Sequence, residues 1–142
     1  MVEMDHSFST GKAIDYNWNA ILDLERLIPR VEGGRVLELT DPHSAKAEIT
    51  VKMGAMSLRF VGTVDVVEAD EDAHRAVLRV KSREANGQGY ANADVTFSLL
   101  DGGGTIHTAA QIGGKAASMG EGVMVTVLDA LIADFAGKLS AI

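Results

Sequence analysis

Residues 45–53 read AKAEITVKM, and this stretch decides the fold that we expect for the chain. Small or apolar residues stand at every odd position, whereas Lys, Glu or Thr stands at every even one. Successive side chains of a β-strand point to opposite faces, so the pattern predicts a strand with one face in water and one buried. The odd-numbered face, which ends at Met53, is expected to point into the core.

The same alternation continues on both sides of this strand. Beyond the turn at Gly54-Ala55 it places Met56, Leu58 and Phe60 inward, and turn residues separate the strands that follow. Residues 2–10 alternate in the same way and predict a first strand. Asn86-Gly87 predicts a two-residue hairpin turn. Later strands place these further residues inward: Ala76, Leu78, Val80, Ala91, Ala93, Val95, Phe97, Leu99, Ile106, Thr108 and Ala110.

Two segments have a helical period instead. Between Lys12 and Pro29, apolar residues recur at spacings of three and four, which predicts two short helices broken near Asp23. From Lys115 to Leu139 an apolar stripe predicts one long C-terminal helix. The stripe consists of Met124, Val127, Leu128, Leu131, Phe135 and Leu139. The resulting order is a strand, two short helices, a meander of about six antiparallel strands and a long helix, which predicts an α+β fold.

Composition narrows the class of protein. A chain of 142 residues with 46% hydrophobic and 23% charged residues is typical of one globular domain, here expected over 1–142. A net charge of -7 disfavours binding to nucleic acid. The absence of cysteine excludes disulfides and thiolate chemistry. We expect a cytoplasmic protein, because the sequence shows neither a secretory signal nor a transmembrane segment.

Candidate catalytic and metal-binding residues are few. The four histidines lie in separate segments without the spacing of paired metal ligands, so we expect no metal site. No serine occupies a Gly-x-Ser-x-Gly turn, and the glycine clusters lack the pattern of a phosphate loop, so we assign no catalytic residue and no cofactor. His6 shares the inward face of the first strand. We expect its ring to be neutral, buried and hydrogen-bonded to the backbone.

The predicted inner surface points to a cavity. Many inward positions are alanine, and the start of the last helix is rich in small residues, so unfilled space should remain between sheet and helix. The rest of the lining is apolar and contains methionine, which adapts to varied ligands. We expect ligands to pass between Gly120 and the turn at 53–56. The predicted ligand-binding residues are Met53, Met56, Leu58, Phe60, Ala91, Phe97, Ala117, Gly120, Met124 and Leu128.

Several short segments, in this order and spacing, resemble one protein family. They are 18–23 (WNAILD) with Pro29, 51–54 (VKMG), 60–62 (FVG), 87–91 (GQGYA), 104–105 (GT), 113–120 (GGKAASMG) and Phe135. The chain resembles the family of the carbon monoxide dehydrogenase protein CoxG, in the START/Bet v 1-like (SRPBCC) superfamily. This resemblance implies a helix-grip fold, in which a curved antiparallel sheet of about seven strands wraps around the long C-terminal helix.

The resemblance also implies a function. A CoxG-like accessory protein would bind an apolar small molecule, such as a lipid or a quinone-like compound, and assist membrane recruitment or maturation of a molybdenum carbon monoxide dehydrogenase-type enzyme. Contact with the inner membrane face would then be made through that partner. Two alternatives stay open: a cavity-based enzyme of the cyclase or hydrolase type, using His6, Ser82 and Thr108, or a pure protein-interaction adaptor. A monomer and a homodimer also both remain open.

Overall fold

The computed structural model of the chain describes residues 1–114 and 120–142, without the side chains of Met53 and Glu121. Seven strands and three helices follow one another in the predicted order. The strands are β1 (Val2–Ser9), β2 (Gly34–Asp41), β3 (Ser44–Met53), β4 (Met56–Asp70), β5 (Arg75–Glu84), β6 (Tyr90–Leu100) and β7 (Gly103–Gly113). The helices are α1 (Ile14–Ile21), α2 (Leu24–Leu27) and α3 (Glu121–Lys138), with 3-10 turns at Ile28–Arg30 and Leu139–Ala141.

All seven strands form one antiparallel sheet in the order β1-β7-β6-β5-β4-β3-β2. The meander from β2 to β7 runs across the sheet, and β1 pairs with β7 along its whole length. Register shifts between Val36 and Glu38 and between Val66 and Glu68 interrupt the ladders. Bulges of this kind bend a strand and increase its twist, which lets the sheet wrap around a helix.

The short helices are attached to the sheet by polar side chains. The carboxylate of Asp101, in the β6–β7 turn, accepts a hydrogen bond of 2.8 Å from the backbone N–H of Ile14 at the start of α1. Asn17 is buried, and its amide donates to the carbonyl oxygens of Lys12 and Leu100. These bonds satisfy backbone groups that a helix start and a strand end leave unpaired. As predicted, the break between the helices falls at Asp23, which precedes α2.

The core consists of two clusters that grip α3 near its two ends. The larger cluster packs Phe135 and Leu139 of the C-terminal end against Trp18, Leu24 and other residues of the short helices and the sheet. The smaller cluster packs Met124, near the N-terminal end of α3, against Leu58 and Phe60 of β4. The sheet face is the predicted one, because inward alanines such as Ala76 and Ala110 are buried together with Phe97.

The start of the last helix differs from the prediction. Residues 115–119, where the helix was expected to begin, lie outside the described residues. The helix starts at Glu121, and Gly120 precedes it with a φ of 95°. That left-handed conformation is favourable for glycine and costly for residues with a Cβ. Gly120 therefore terminates the preceding segment and is not a helical position, which the sequence prediction had wrong.

The β5–β6 connection also differs from the prediction. The strands end at Glu84 and resume at Tyr90, so the loop contains five residues and is not a two-residue turn. The carboxylate of Glu84 accepts hydrogen bonds from the backbone N–H groups of Asn86, at 2.7 Å, and Gln88, at 3.3 Å. Burial of this side chain raises its pKa, but the backbone donors outweigh that effect, so the pKa of Glu84 lies below its ordinary value. A buried carboxylate thus organises the longer loop.

Candidate functional site

A cavity of about 230 Å³ lies between the sheet and α3. The two core clusters border it, one through Phe97 and Phe135 and the other through Phe60 and Met124. Strands β3 to β7 supply one wall, and α3 supplies the other. The segment before β2 closes one side through Leu27, Ile28 and Val31. Helix and sheet are therefore packed at both ends of α3 and separated between them.

Small residues on the sheet account for this space. Ala47, Ala91, Ala93 and Ala110 all line the cavity, as the sequence analysis expected from their inward positions. A methyl side chain extends too little to reach a helix that larger residues hold at a distance. The cavity is therefore a consequence of where the alanines and the aromatic residues stand along the strands.

Gly62 contributes to the same wall for a different reason. It lines the cavity from β4 and pairs with Ser82 of β5. A Cβ atom at this position would collide with the carbonyl oxygen of Lys81. The glycine thus permits a close approach of the two strands that any other residue would prevent.

Half of the ten predicted ligand-binding residues line the cavity. They are Phe60, Ala91, Phe97, Met124 and Leu128. Phe60 and Phe97 project from the concave face of the sheet, and Met124 and Leu128 face them from α3. The structure thus brings together residues that are more than sixty positions apart in the sequence.

The other predicted residues are placed differently. Leu58 is buried in the smaller core cluster and does not line the cavity. Met56 is 47% exposed, because the start of β4 extends past the part of the sheet that α3 covers. Gly120 is exposed and also lies outside the lining, since it precedes the helix. Ala117 lies outside the described residues, as does the side chain of Met53.

Further lining residues were not among the predicted site residues. Leu131, Ile132 and Phe135 extend the helical wall by more than a turn beyond Leu128. The apolar stripe of the last helix already contained Leu131 and Phe135, so the stripe was the signal that could have found them. The residues Leu27, Ile28 and Val31 carried no such signal, because nothing in their local pattern shows that this segment folds back over the sheet.

Polar groups at the cavity wall are few. Ser82 and Thr108 both line it from the inward face, and the Ser82 hydroxyl donates a hydrogen bond of 2.5 Å to the carbonyl oxygen of Ala91. Glu48 also borders the cavity, but its carboxylate forms ion pairs of 2.6 Å with both Arg59 and Arg35. The Arg59 guanidinium in particular lowers the pKa of Glu48. The carboxylate is thus already neutralised by two arginines.

His6 has a different partner from the one expected. Its Nε2 lies 2.8 Å from Oδ1 of Asp129 on α3, so its partner is a carboxylate and not the backbone. Its Nδ1 is buried and has no hydrogen-bond partner among the described residues. His6 borders a separate surface crevice between β1 and α3, together with Phe8 and Ala136, and does not line the cavity. The His6–Asp129 pair therefore joins the edge strand to the helix beside the cavity.

Neither a metal cluster nor a membrane-spanning helix is found in the described part of the chain. Within residues 1–114 and 120–142, no group of three or more histidine or acidic side chains is arranged to hold a metal ion. Of the helices described, none has the length and apolar character needed to cross a bilayer.

Solved structures of low sequence identity share this architecture over almost the whole chain. A conserved protein from Geobacillus kaustophilus has a TM-score of 0.82 at 22% identity, with 99% of this chain and 93% of that chain covered. The Zhui aromatase/cyclase from a Streptomyces species has a TM-score of 0.59 at 13% identity, with 99% and 92% covered. Norcoclaurine synthase from Thalictrum flavum has a TM-score of 0.55 at 13% identity, with 99% and 84% covered. These similarities establish the helix-grip, Bet v 1-like fold.

Sequence comparison identifies the family more closely. Among curated proteins, none matches the chain. The family model for CoxG, the G component of carbon monoxide dehydrogenase, matches residues 7–141. The match therefore spans β1 to the end of α3, including every strand and helix that forms the cavity. This chain belongs to the carbon monoxide dehydrogenase CoxG family.

Proposed function

We propose that the protein binds an apolar small molecule, a lipid or a quinone-like compound, in the cavity between the sheet and α3. The observation that carries this proposal is the cavity itself, with about 230 Å³ of space and a lining of mainly aliphatic and aromatic side chains. Apolar cavities of roughly 150 Å³ are large enough to stay dry and bind benzene. The space in this protein exceeds that size, so its volume favours a ligand.

The charges around the cavity favour an uncharged ligand. Glu48 is already paired with two arginines, and Arg79 pairs with Asp94 by two hydrogen bonds across β5 and β6. An ionised ligand group would therefore enter an apolar space without a free counter-charge among the described lining residues. Burying an unpaired charge in such surroundings is strongly unfavourable.

The size of the cavity limits how much of a ligand it holds. Pockets for drug-sized molecules commonly measure about 300–1,000 Å³, which is more than the space found between sheet and helix. A compact ligand would fit completely, whereas a long-chain lipid would place one end inside and leave the rest outside. The second arrangement suits a molecule that is withdrawn from, or presented to, a membrane.

Membership of the family supports the second part of the proposal. We propose that the ligand-bound protein assists membrane recruitment or maturation of a molybdenum carbon monoxide dehydrogenase-type enzyme. It would act in the cytoplasm and reach the membrane face through that partner. The family takes its name from carbon monoxide dehydrogenase, which supports this association.

Native mass spectrometry of gently purified protein tests the proposal. The expected result is a mass increment that corresponds to a neutral lipid or quinone-like molecule and that disappears after organic extraction. Size-exclusion chromatography with a purified carbon monoxide dehydrogenase-type enzyme should then show co-elution. Absence of any bound molecule, together with retained co-elution, would contradict the ligand proposal and favour the adaptor.

One observation favours an enzyme as the second candidate. His6 is hydrogen-bonded to Asp129 and has a second ring nitrogen without a partner among the described residues, which is an arrangement that general bases use. Two of the structures with the same fold are named as an aromatase/cyclase and a synthase. Because His6 lies outside the cavity lining, a substrate in the cavity would not contact it without a rearrangement, and we therefore rank this candidate second.

A further inference from the structure

The hydroxyl group of Thr108 is an unusual polar group in the cavity wall. Thr108 lies in the middle of β7, paired with Met4 on one side and Val95 on the other, and it lines the cavity. The residue is only 1% exposed. Its Oγ1 atom is buried and has no hydrogen-bond partner among the described residues. The hydroxyl therefore borders apolar space without an interaction that would compensate its burial.

A buried hydroxyl without a partner destabilises the ligand-free protein. Folding removes the hydroxyl from water, and nothing described in the protein replaces the lost hydrogen bonds. Valine has nearly the same shape and no such cost, so packing alone does not favour threonine at this position. Ser82, the other hydroxyl of the inward-facing wall, differs because it donates to the Ala91 carbonyl oxygen. Of these two groups, only the Thr108 hydroxyl has its hydrogen-bonding capacity unused.

The second unpartnered atom, Nδ1 of His6, does not serve the same space. His6 pairs with Ile106 on the neighbouring strand, two positions along β7 from Thr108. It contributes to the crevice beside α3 and not to the cavity lining. Thr108 is thus the position at which a molecule inside the cavity meets an unused polar group.

We propose that the Thr108 hydroxyl is the polar anchor of the cavity and determines which apolar molecules bind. This inference rests on the proposed function. The ligand class it selects is an uncharged, otherwise apolar molecule with a carbonyl or hydroxyl oxygen on the part that lies inside the cavity. That oxygen forms a hydrogen bond with Thr108, while the surrounding alanine, valine and phenylalanine side chains pack against the hydrocarbon part.

A pair of matched ligands tests the anchor. The probes are a long-chain methyl ketone and the alkane of the same chain length, each measured by displacement of the neutral fluorescent dye N-phenyl-1-naphthylamine. The protein variants are Thr108→Val, which removes the hydroxyl, and Thr108→Ser, which keeps it. Because a net hydrogen bond contributes about 0.5–1.5 kcal/mol, Thr108→Val should weaken ketone binding by about 2- to 12-fold. Binding of the alkane should stay the same, and Thr108→Ser should retain the preference for the ketone.

Thermal unfolding of the ligand-free variants gives an independent measurement. Thr108→Val should unfold at a higher temperature than the wild type, because it removes an unsatisfied buried group. Equal changes in ketone and alkane affinity, or an unchanged ketone affinity, would contradict the anchor while leaving the cavity function intact. Failure of the wild type to bind dye, ketone and alkane would overturn the proposed function and, with it, the anchor.

Discussion

The ring of Phe97 on β6 meets the ring of Phe135 on α3 edge to face, with 6.3 Å between the ring centroids and an angle of 73° between the ring planes. Both rings line the cavity, and both belong to the larger core cluster. Edge-to-face pairs contribute about 0.5–1.5 kcal/mol beyond the burial of their area. This pair therefore marks the boundary between the packed core and the open space.

Replacement of Phe97 by alanine should reveal this boundary. Part of the ring surface already faces the cavity and has few partner atoms to lose, so we expect Phe97→Ala to cost less than the roughly 3–5 kcal/mol typical of packed phenylalanines. Phe8→Ala is the matched control, because Phe8 is buried in the same cluster and does not line the cavity. Chemical denaturation measures both. A larger loss for Phe97→Ala than for Phe8→Ala would indicate a filled core.

The sequence predicts the faces of the strands well and the limits of the elements poorly. Alternation in residues 45–53 shows which side chains point inward, because a one-residue slip would move all of them to the other face. The same alternation puts Met56 inward but does not show that α3 leaves Met56 uncovered. Residues 85–89 form a longer loop because the distant backbone N–H of Arg59 and the loop N–H groups share the Glu84 carboxylate. Such long-range bonds have no local sequence pattern.

The cavity could be predicted only in part for a similar reason. Small inward residues such as Ala91 indicate that space remains, but its limits depend on how far the helix stands from the sheet. That distance is determined by large residues in other elements, including Phe60 and Met124. The contribution of Leu27 and Ile28 depends on how α2 docks, which a local pattern does not contain.

Glu84→Gln should destabilise the protein at neutral pH. The folded state lowers the pKa of Glu84, so its ionised form stabilises folding above the ordinary pKa, and this contribution is lost as the pH falls through the lowered value. The difference in unfolding free energy between wild type and Glu84→Gln should thus be largest near pH 7 and should shrink in acid. Urea denaturation across pH measures it.

An exposed glutamate provides the control for this measurement. Glu38 forms a surface ion pair with Lys46, and Glu38→Gln should change the unfolding free energy by no more than about 1 kcal/mol. A Glu84→Gln difference that grows as the pH falls would contradict the assigned role of the buried carboxylate.

His6→Ala separates a structural role from a catalytic one. If the His6–Asp129 pair only joins β1 to α3, the variant should lose some thermal stability, and Asp129→Asn should lose a comparable amount. The activity of a carbon monoxide dehydrogenase-type partner with soluble electron acceptors should stay within a few-fold of normal. A general base contributes about 10²–10⁴ in rate. A loss of that size in a reaction catalysed by this protein alone would support the enzyme.

Filling the cavity tests the central claim most directly. Ala93 lies on the cavity wall and is only half-buried, so Ala93→Leu should occupy the space, stabilise the fold by about 0.5–2 kcal/mol and abolish uptake of N-phenyl-1-naphthylamine. Ala76→Leu is the control, because Ala76 is fully buried outside the lining and a larger side chain there should destabilise the protein. The measurement is dye binding by wild type and both variants. We predict binding by wild type and loss in Ala93→Leu with raised stability, whereas unchanged dye binding in a destabilised Ala93→Leu would contradict a ligand-binding cavity.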